Sequence, residues 1–272
     1  MKTTATHEMV KDSYANMLRT AQEKPSCCGT TSPAAKLAGY DETEQHADAA
    51  SASFGCGNPL AFAGVQSGDT VLDLGSGAGL DLLIAAEKTG PSGAVIGVDM
   101  TDDMIEVARN NARKAGYDNI EIRRGLIEAL PVEDSSTDWV ISNCVINLSP
   151  DKPKVFSEVF RVMKPGAQLS ISDIVVQDLP DWIRDSAAAW SACIAGAISE
   201  AEYLQGLRAA GLEDVEVADR LVYDASQLRA ILCEDIPGLD LGLEIGDDQI
   251  DALLEQYAGT AWSARFTARK PG

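Results

Sequence analysis

The chain has 272 residues, 45% of them apolar and 24% charged, an ordinary balance for a globular protein with a sizeable core. With 22 Lys and Arg against 42 Asp and Glu, the formal charge of −20 argues against nucleic acid or an anionic membrane as partner, since both need a positive surface. No run of about 18 apolar residues is present and Met1–Glu8 lacks the apolar centre of a secretory leader, so the expectation is a cytoplasmic protein whose six cysteines stay largely reduced.

Residues 1–65 read as a polar, loop-rich arm. It carries one amphipathic helix, from about His7 to Gln22, with Met9, Val10, Tyr14, Met17 and Leu18 at helical spacing. Behind it, Lys24-Pro25-Ser26-Cys27-Cys28-Gly29 places adjacent thiols on a turn with no apolar flank, a context that favours exposure and reactivity over packing. Ser53-Phe54-Gly55-Cys56-Gly57-Asn58-Pro59 then sets a cysteine between two glycines, which leaves its sulfur open to a ligand.

Residues 66–178 alternate apolar strands with amphipathic helices. The first strand, Val71-Leu72-Asp73-Leu74, runs into Gly75-Ser76-Gly77-Ala78-Gly79 and then a helix, Leu80 to Thr89. A strand, a glycine turn and a helix N-terminus make a nucleotide pocket, because bare backbone lets a ribose approach exposed N–H groups. The third glycine falls at position 79 and Leu80 follows, which departs from the dinucleotide fingerprint. Asp73 would repel a pyrophosphate but suits a cationic amine.

Ala94 to Asp99 forms the second strand, and Asp99 at its end is placed to accept hydrogen bonds from both ribose hydroxyls. Thr101, Asp102 and Asp103 start a helix to about Ala115. Asn119 to Arg123 is the third strand and leads into the loop Gly125-Leu126-Ile127-Glu128-Ala129-Leu130-Pro131. Thr137 to Leu148 gives the fourth, with Cys144 at its carboxyl end and therefore facing the crevice at the topological switch point. A helix from Lys152 to Met163 stops at Lys164-Pro165-Gly166, ahead of the fifth strand, Gln168 to Val176. Repeated strand–helix–strand units imply right-handed crossovers and a parallel sheet.

Residues 179–272 lose the alternation. Trp182 to Ile198 reads as a helix containing Cys193 among small residues, Ser199 opens another helix ending at Gly211, and Asp214 to Ala218 is a sixth strand. Residues 225–258 read as an acidic helical insertion, with Cys233 structural or incidental, and Ala261 to Arg269 as a closing antiparallel strand. The expected architecture is α/β: a Rossmann-like, mostly parallel seven-stranded sheet with helices on both faces, an N-terminal arm, and a C-terminal region that completes the sheet.

The glycine turn after an acid-bearing strand resembles motif I of the class I S-adenosylmethionine methyltransferases. Together with Gly55-Cys56-Gly57-Asn58-Pro59, Asn143-Cys144-Val145-Ile146-Asn147-Leu148 and Cys193, it resembles the arsenite S-adenosylmethionine methyltransferases over nearly the whole length. The resemblance implies three cysteines that hold trivalent arsenic, matching Cys56, Cys144 and Cys193, and an exchange cysteine matching Cys28, with Cys27 as its alternative. For S-adenosylmethionine, and its product S-adenosylhomocysteine, it implies contacts from Phe54, Asp73, Gly75, Ser76, Gly77, Asp99, Met100, Ile127, Glu128 and Asn143. The loop 125–131 would lie beside the adenine, with Glu128 near its exocyclic amine. Phe54 stands where the family often has tyrosine, so a hydroxyl contact to the cofactor is lost.

The chemistry agrees with the residue types. Arsenic(III) is thiophilic and selects soft thiolates over imidazole and carboxylate. Three thiolates leave its lone pair free to attack a sulfonium methyl in line, so no general base is required. Positioning alone can supply roughly 7–11 kcal/mol. The resemblance further implies arsenite or its thiol conjugates as substrate, a disulfide reopened by thioredoxin or glutathione, and a monomer. A methyltransferase for a quinone or sterol, with incidental cysteines, and an arsenic-binding protein without turnover are the competing readings. Serine at Cys144 or Cys193 separates the first of these from the arsenic reading, and methylated product excludes the second.

Overall fold

A computed structural model of the chain describes residues 3–23, 64–177, 184, 190, 193–233, 255–256 and 258–272. Helix α1 (Thr3–Glu23) precedes an alternating core: β1 (Thr70–Leu74), α2 (Leu80–Thr89), β2 (Ala94–Asp99), α3 (Asp102–Ala115), β3 (Ile120–Arg124), β4 (Thr137–Asn143), α4 (Lys152–Val162) and β5 (Met163–Val176). Then follow α5 (Glu200–Ala209), β6 (Glu213–Val222), α6 (Ala225–Cys233) and β7 (Ala261–Arg269). The seven strands form one sheet in the order β3-β2-β1-β4-β5-β7-β6. β1 to β5 pair in parallel, and β7 inserts antiparallel between β5 and β6. The expected Rossmann-like, mostly parallel sheet is therefore present, with its switch point between β1 and β4.

Each buried strand feeds two cores, since successive side chains point to opposite faces. Leu72, Leu74, Val140, Leu169 and Phe266 pack with Val155, Phe156 and Val159 of α4 and Tyr203 and Leu207 of α5. Val71, Val95, Ile122 and Ile141 pack on the other face with Leu82 and Ala85 of α2 and Ile105 and Ala108 of α3. Asp73 shares the parity of Val71, so its carboxylate lies on the α2 side, where the glycine turn crosses the strand ends.

Several expected boundaries change where a tertiary contact overrides the local pattern. β4 ends at Asn143, and the residues expected to continue it form a 3-10 turn, Ile146–Leu148. Buried Asp173 of β5 draws this turn in by accepting from Asn147 N (3.2 Å) and Asn147 Nδ2 (2.9 Å). The helix expected through Ile198 stops short of Cys193, and Cys193–Gly196 form a turn. There a Cβ on Gly196 would lie 2.0 Å from the Asn147 carbonyl oxygen, an approach only glycine permits. α4 ends at Val162, and β5 starts at once with Met163 paired to Thr137 across an irregularity, so Lys164-Pro165-Gly166 lies within the strand's range. Of the insertion expected at 225–258, the described helical residues are α6 and residues 255–256. Among the described residues no helix is long and apolar enough to cross a membrane.

Candidate functional site

At the carboxyl ends of β1, β2 and β4, and along loop 125–131, lies an open crevice of about 970 Å³, the solvent at its mouth included. Ten of the expected residues line it: Asp73, Gly75, Ser76, Gly77, Asp99, Met100, Ile127, Glu128, Asn143 and Cys144. Cys28, Cys56 and Phe54, with Cys27, lie outside the described residues.

Its floor is the turn after β1. Gly75, Gly77 and Gly79 all have positive φ. At Gly75 a Cβ would also fall 2.3 Å from Val145 Cγ2, so this position admits no side chain. Gly75 N and Ser76 N donate to the Val98 carbonyl at 2.8 and 3.1 Å, which ties the turn to the end of β2. Asp99, at that end, accepts from Gly77 N (3.0 Å) and Thr101 N (2.8 Å).

Three carboxylates, Asp73, Asp81 and Asp99, converge here, and among the described residues no lysine or arginine lines the cavity. Burial, and then the charges of Asp81 and Asp99, hold Asp73 well above the ordinary carboxylate range. Burial raises Asp99 as well, against the opposing backbone N–H groups of Thr101 and Gly77. A site that crowds buried negative charge in this way is complementary to a ligand carrying positive charge. Buried Ser76 Oγ, moreover, has no hydrogen-bond partner among the described residues, which is costly unless a ligand supplies one. Asp81 was not anticipated from sequence, where it read as a first-turn helix residue; its Oδ2 accepts from Asn143 Nδ2 at 3.2 Å.

The opposite wall carries the thiols. Cys144 lines the crevice, whereas Cys193 sits directly behind it, with its Sγ donating to the Cys144 carbonyl oxygen at 2.8 Å. Both belong to one buried cluster with Val10, Leu148 and Ile174. The two expected arsenic thiols that are described thus come from distant segments to one place. Both also have left-handed backbone, φ 57° at Cys144 and 61° at Cys193. That conformation is uncommon outside glycine and concentrates at functional sites. Cys144 is disulfide-bonded, with a partner outside the described side chains, and Cys193 is a free thiol. Burial and the nearby Asp173 carboxylate push the Cys193 thiol up to about 12.

Beneath them lies a buried polar group that sequence reasoning missed. Asp173 accepts from Asn147, from Ile174 N and from Tyr203 Oη, and burial raises it to about 7 against the opposing charge of Lys152. Tyr203 is itself fixed by stacking on Phe266, with ring centroids 4.2 Å apart. The one sequence signal was a carboxylate inside an otherwise apolar and serine-bearing strand. The roof was also missed: α1 reaches the crevice through His7, Val10 and Tyr14. His7 Nε2 lies 2.9 Å from Glu128 Oε1, which also accepts from Ser149 Oγ. Glu128, expected beside an adenine amine, therefore joins the loop after β3 to α1 and to the segment after β4.

Residues 65–211 match the family model described as a methyltransferase domain. Over 234 residues the chain is 42% identical to an arsenite methyltransferase of Halobacterium salinarum, covering 79% of this chain and 59% of that protein. It is 34% identical to an arsenite methyltransferase of Aquipseudomonas alcaligenes, covering 78% of this chain and 64% of that one. The chain thus spans about three fifths of the length of these curated relatives. Among solved structures, an arsenic(III) S-adenosylmethionine methyltransferase from Chlamydomonas reinhardtii superposes with a TM-score of 0.62 at 33% identity, over 89% of this chain and 75% of that one.

Proposed function

Because the chain belongs to the arsenite S-adenosylmethionine methyltransferases, we propose that it transfers the methyl group of S-adenosylmethionine to trivalent arsenic held by cysteine thiolates, as an arsenite-detoxifying enzyme. The observation that carries this reading is the meeting, at one crevice, of a carboxylate-rich glycine turn with Cys144 and, behind it, Cys193.

The residues present fit the cofactor. Crowded Asp73, Asp81 and Asp99 suit its positive charges, the open space at Gly77, where a Cβ would meet nothing within 4 Å, leaves room for its ribose, and Ser76 Oγ, without a partner among the described residues, can take one from a ligand. Bound there, S-adenosylmethionine supplies an electrophilic methyl group. Asp99 would exchange part of its present backbone bonding for ribose hydroxyls. Met100 and Ile127 would hold the base by apolar contact, Glu128 its amine, and Asn143 the side facing Asp81.

On the substrate side, Cys56, Cys144 and Cys193 would hold the arsenic, with Cys28 or Cys27 exchanging thiols. Cys144 has first to be released from its disulfide: an external thiol pair is oxidised and two cysteines are reduced. Thioredoxin or glutathione is the reductant class this requires. As each thiol binds, an As–S bond forms and an As–O bond breaks, and the thiol proton leaves with the hydroxide as water. The arsenic lone pair is then the nucleophile, and no side chain has to act as a general base. In this reading residues 66–178 bind the cofactor, while residues 1–65 and 179–272 bring the remaining thiols. The enzyme acts as a cytoplasmic monomer on arsenite or its thiol conjugates, without nucleic acid or membrane.

The test is speciation of arsenic after incubation of purified protein with arsenite, a thiol reductant and S-adenosylmethionine. Methylarsenic products are expected. Their absence from protein that binds the cofactor would sink the reading.

A further inference from the structure

His7, Val10, Lys11 and Tyr14 recur three to four residues apart along α1, so they share one face of the helix. That face is held at three separate points of the fold. His7 meets Glu128 at 2.9 Å, Lys11 Nζ donates to Asp102 Oδ2 at 3.2 Å at the start of α3, and Tyr14 Oη lies 3.7 Å from Cys193 Sγ. The first tie joins α1 to the loop 125–131 that lines the crevice, and the second to the exposed start of α3 beside it. The third joins it to a thiol, and Tyr14 also lines the cavity. Tyr14 therefore touches both halves of the site.

Cys193 Sγ gives its proton to the Cys144 carbonyl oxygen, so toward the same sulfur the Tyr14 hydroxyl is the donor. Hydroxyl, sulfur and carbonyl then form a chain that fixes where the sulfur sits. If Cys193 binds arsenic, its proton leaves with an arsenite hydroxide as water, and the bond to the Cys144 carbonyl is lost with it. The Tyr14 hydroxyl is retained, and a donor to a sulfur that bears negative charge is stronger than one to a neutral thiol.

We propose that Tyr14 is a positioning residue for Cys193, its hydroxyl orienting the arsenic-binding sulfur while its ring closes the cofactor crevice. The inference rests on the arsenic reading above. It assigns to the N-terminal helix a part in substrate binding, beyond that of a packed amphipathic helix.

The experiment is an arsenite titration of the reduced, full-length protein at saturating S-adenosylhomocysteine, followed by sulfur-to-arsenic ultraviolet absorption and repeated with Y14F, C193S and K11Q. Y14F keeps the ring and removes only the hydroxyl. It should weaken arsenite binding about tenfold while reaching the full absorption at saturation and holding S-adenosylhomocysteine affinity, by calorimetry, within about twofold. C193S should lose about a third of the absorption, since one of three sulfurs is gone. K11Q, which loosens α1 away from the thiols, should bind arsenite as the wild type does. Unchanged arsenite affinity in Y14F overturns the proposal. Equal weakening in Y14F and K11Q, or parallel loss of S-adenosylhomocysteine, makes Tyr14 a helix-docking residue only and overturns it too. A wild type without sulfur-to-arsenic absorption overturns the arsenic reading itself, and the role of Tyr14 falls with it.

Discussion

The two walls of the crevice are built by different means. The cofactor wall takes most of its geometry from neighbours in sequence: β1, the turn at Gly75 to Gly79 and the first turn of α2 follow one another directly, and the end of β2 is reached through the parallel pairing of Asp73 with Gly97 and Leu74 with Val98. The thiol wall takes almost none of its geometry that way. Cys144 and Cys193 meet because Asp173, Asn147 and Gly196 bring the segment after β4 against the turn before α5. Backbone amides and glycine φ angles define the first wall, and buried side-chain hydrogen bonds between distant segments define the second. Damage to one wall should therefore leave the other largely intact.

The sharpest separation should come from serine at Cys144 or Cys193. Each is expected to lower arsenite methylation, measured by product speciation, at least about 100-fold, because a ligand of the reacting atom is lost. S-adenosylhomocysteine affinity should stay within about twofold, and a parallel loss would mean that the walls are not independent. Asp73→Asn is the converse. It should weaken S-adenosylmethionine about 10- to 100-fold, as expected for a charge-assisted contact, and leave arsenite-dependent sulfur absorption in place. Since Asp73 is held above the ordinary carboxylate range, wild-type cofactor affinity should also fall as acidification protonates it, and the variant should show a weaker acid limb, the part that remains coming from Asp99.

Gly75→Ala tests whether the cofactor wall is set by backbone. A Cβ there meets Val145 at 2.3 Å with φ at +65°, so a loss of about 2–3 kcal/mol is expected in denaturant unfolding. The remaining test concerns the floor of the thiol wall. Asp173 titrates at about 7 in the folded chain against 3.8 for an ordinary aspartate, so the folded state binds this proton more tightly than the unfolded state. Stability that is fully present below the ordinary value is then lost as pH rises toward 7, at a slope of at most about 1.4 kcal/mol per pH unit. Thermal melts across that window should show the decline, and Asp173→Asn should flatten it.

What sequence revealed follows the same division. Asp73, Gly75, Gly77 and Asp99 could be found by reading along the chain, because a strand, a turn and a helix start need only local spacing to place a ligand at strand ends. Cys144 was legible from its position at the end of a strand beside the switch point. The repeated strand–helix–strand units likewise gave a mostly parallel sheet with helices on both faces, and the alternation in Ala261 to Arg269 a closing antiparallel strand. Cys193 was singled out through a family resemblance, yet its turn was misread as helix, since Ser191-Ala192-Cys193-Ile194-Ala195 has ordinary helical propensity and Gly196 gives no hint that it will meet the Asn147 carbonyl.

The sequence by itself determined the succession of strands and helices in the nucleotide half, the acidic character of its pocket and the residue types that could hold arsenic. Only the tertiary structure decided that the Cys193 sulfur would bond to the Cys144 carbonyl, that Asp173 would be buried beneath them, and that one face of α1 would roof the crevice with Tyr14 against the thiol. The reason is physical. Local backbone preference and hydrophobic periodicity act over a few residues, whereas these contacts join segments far apart in the chain, whose meeting is fixed by the packing of the whole sheet.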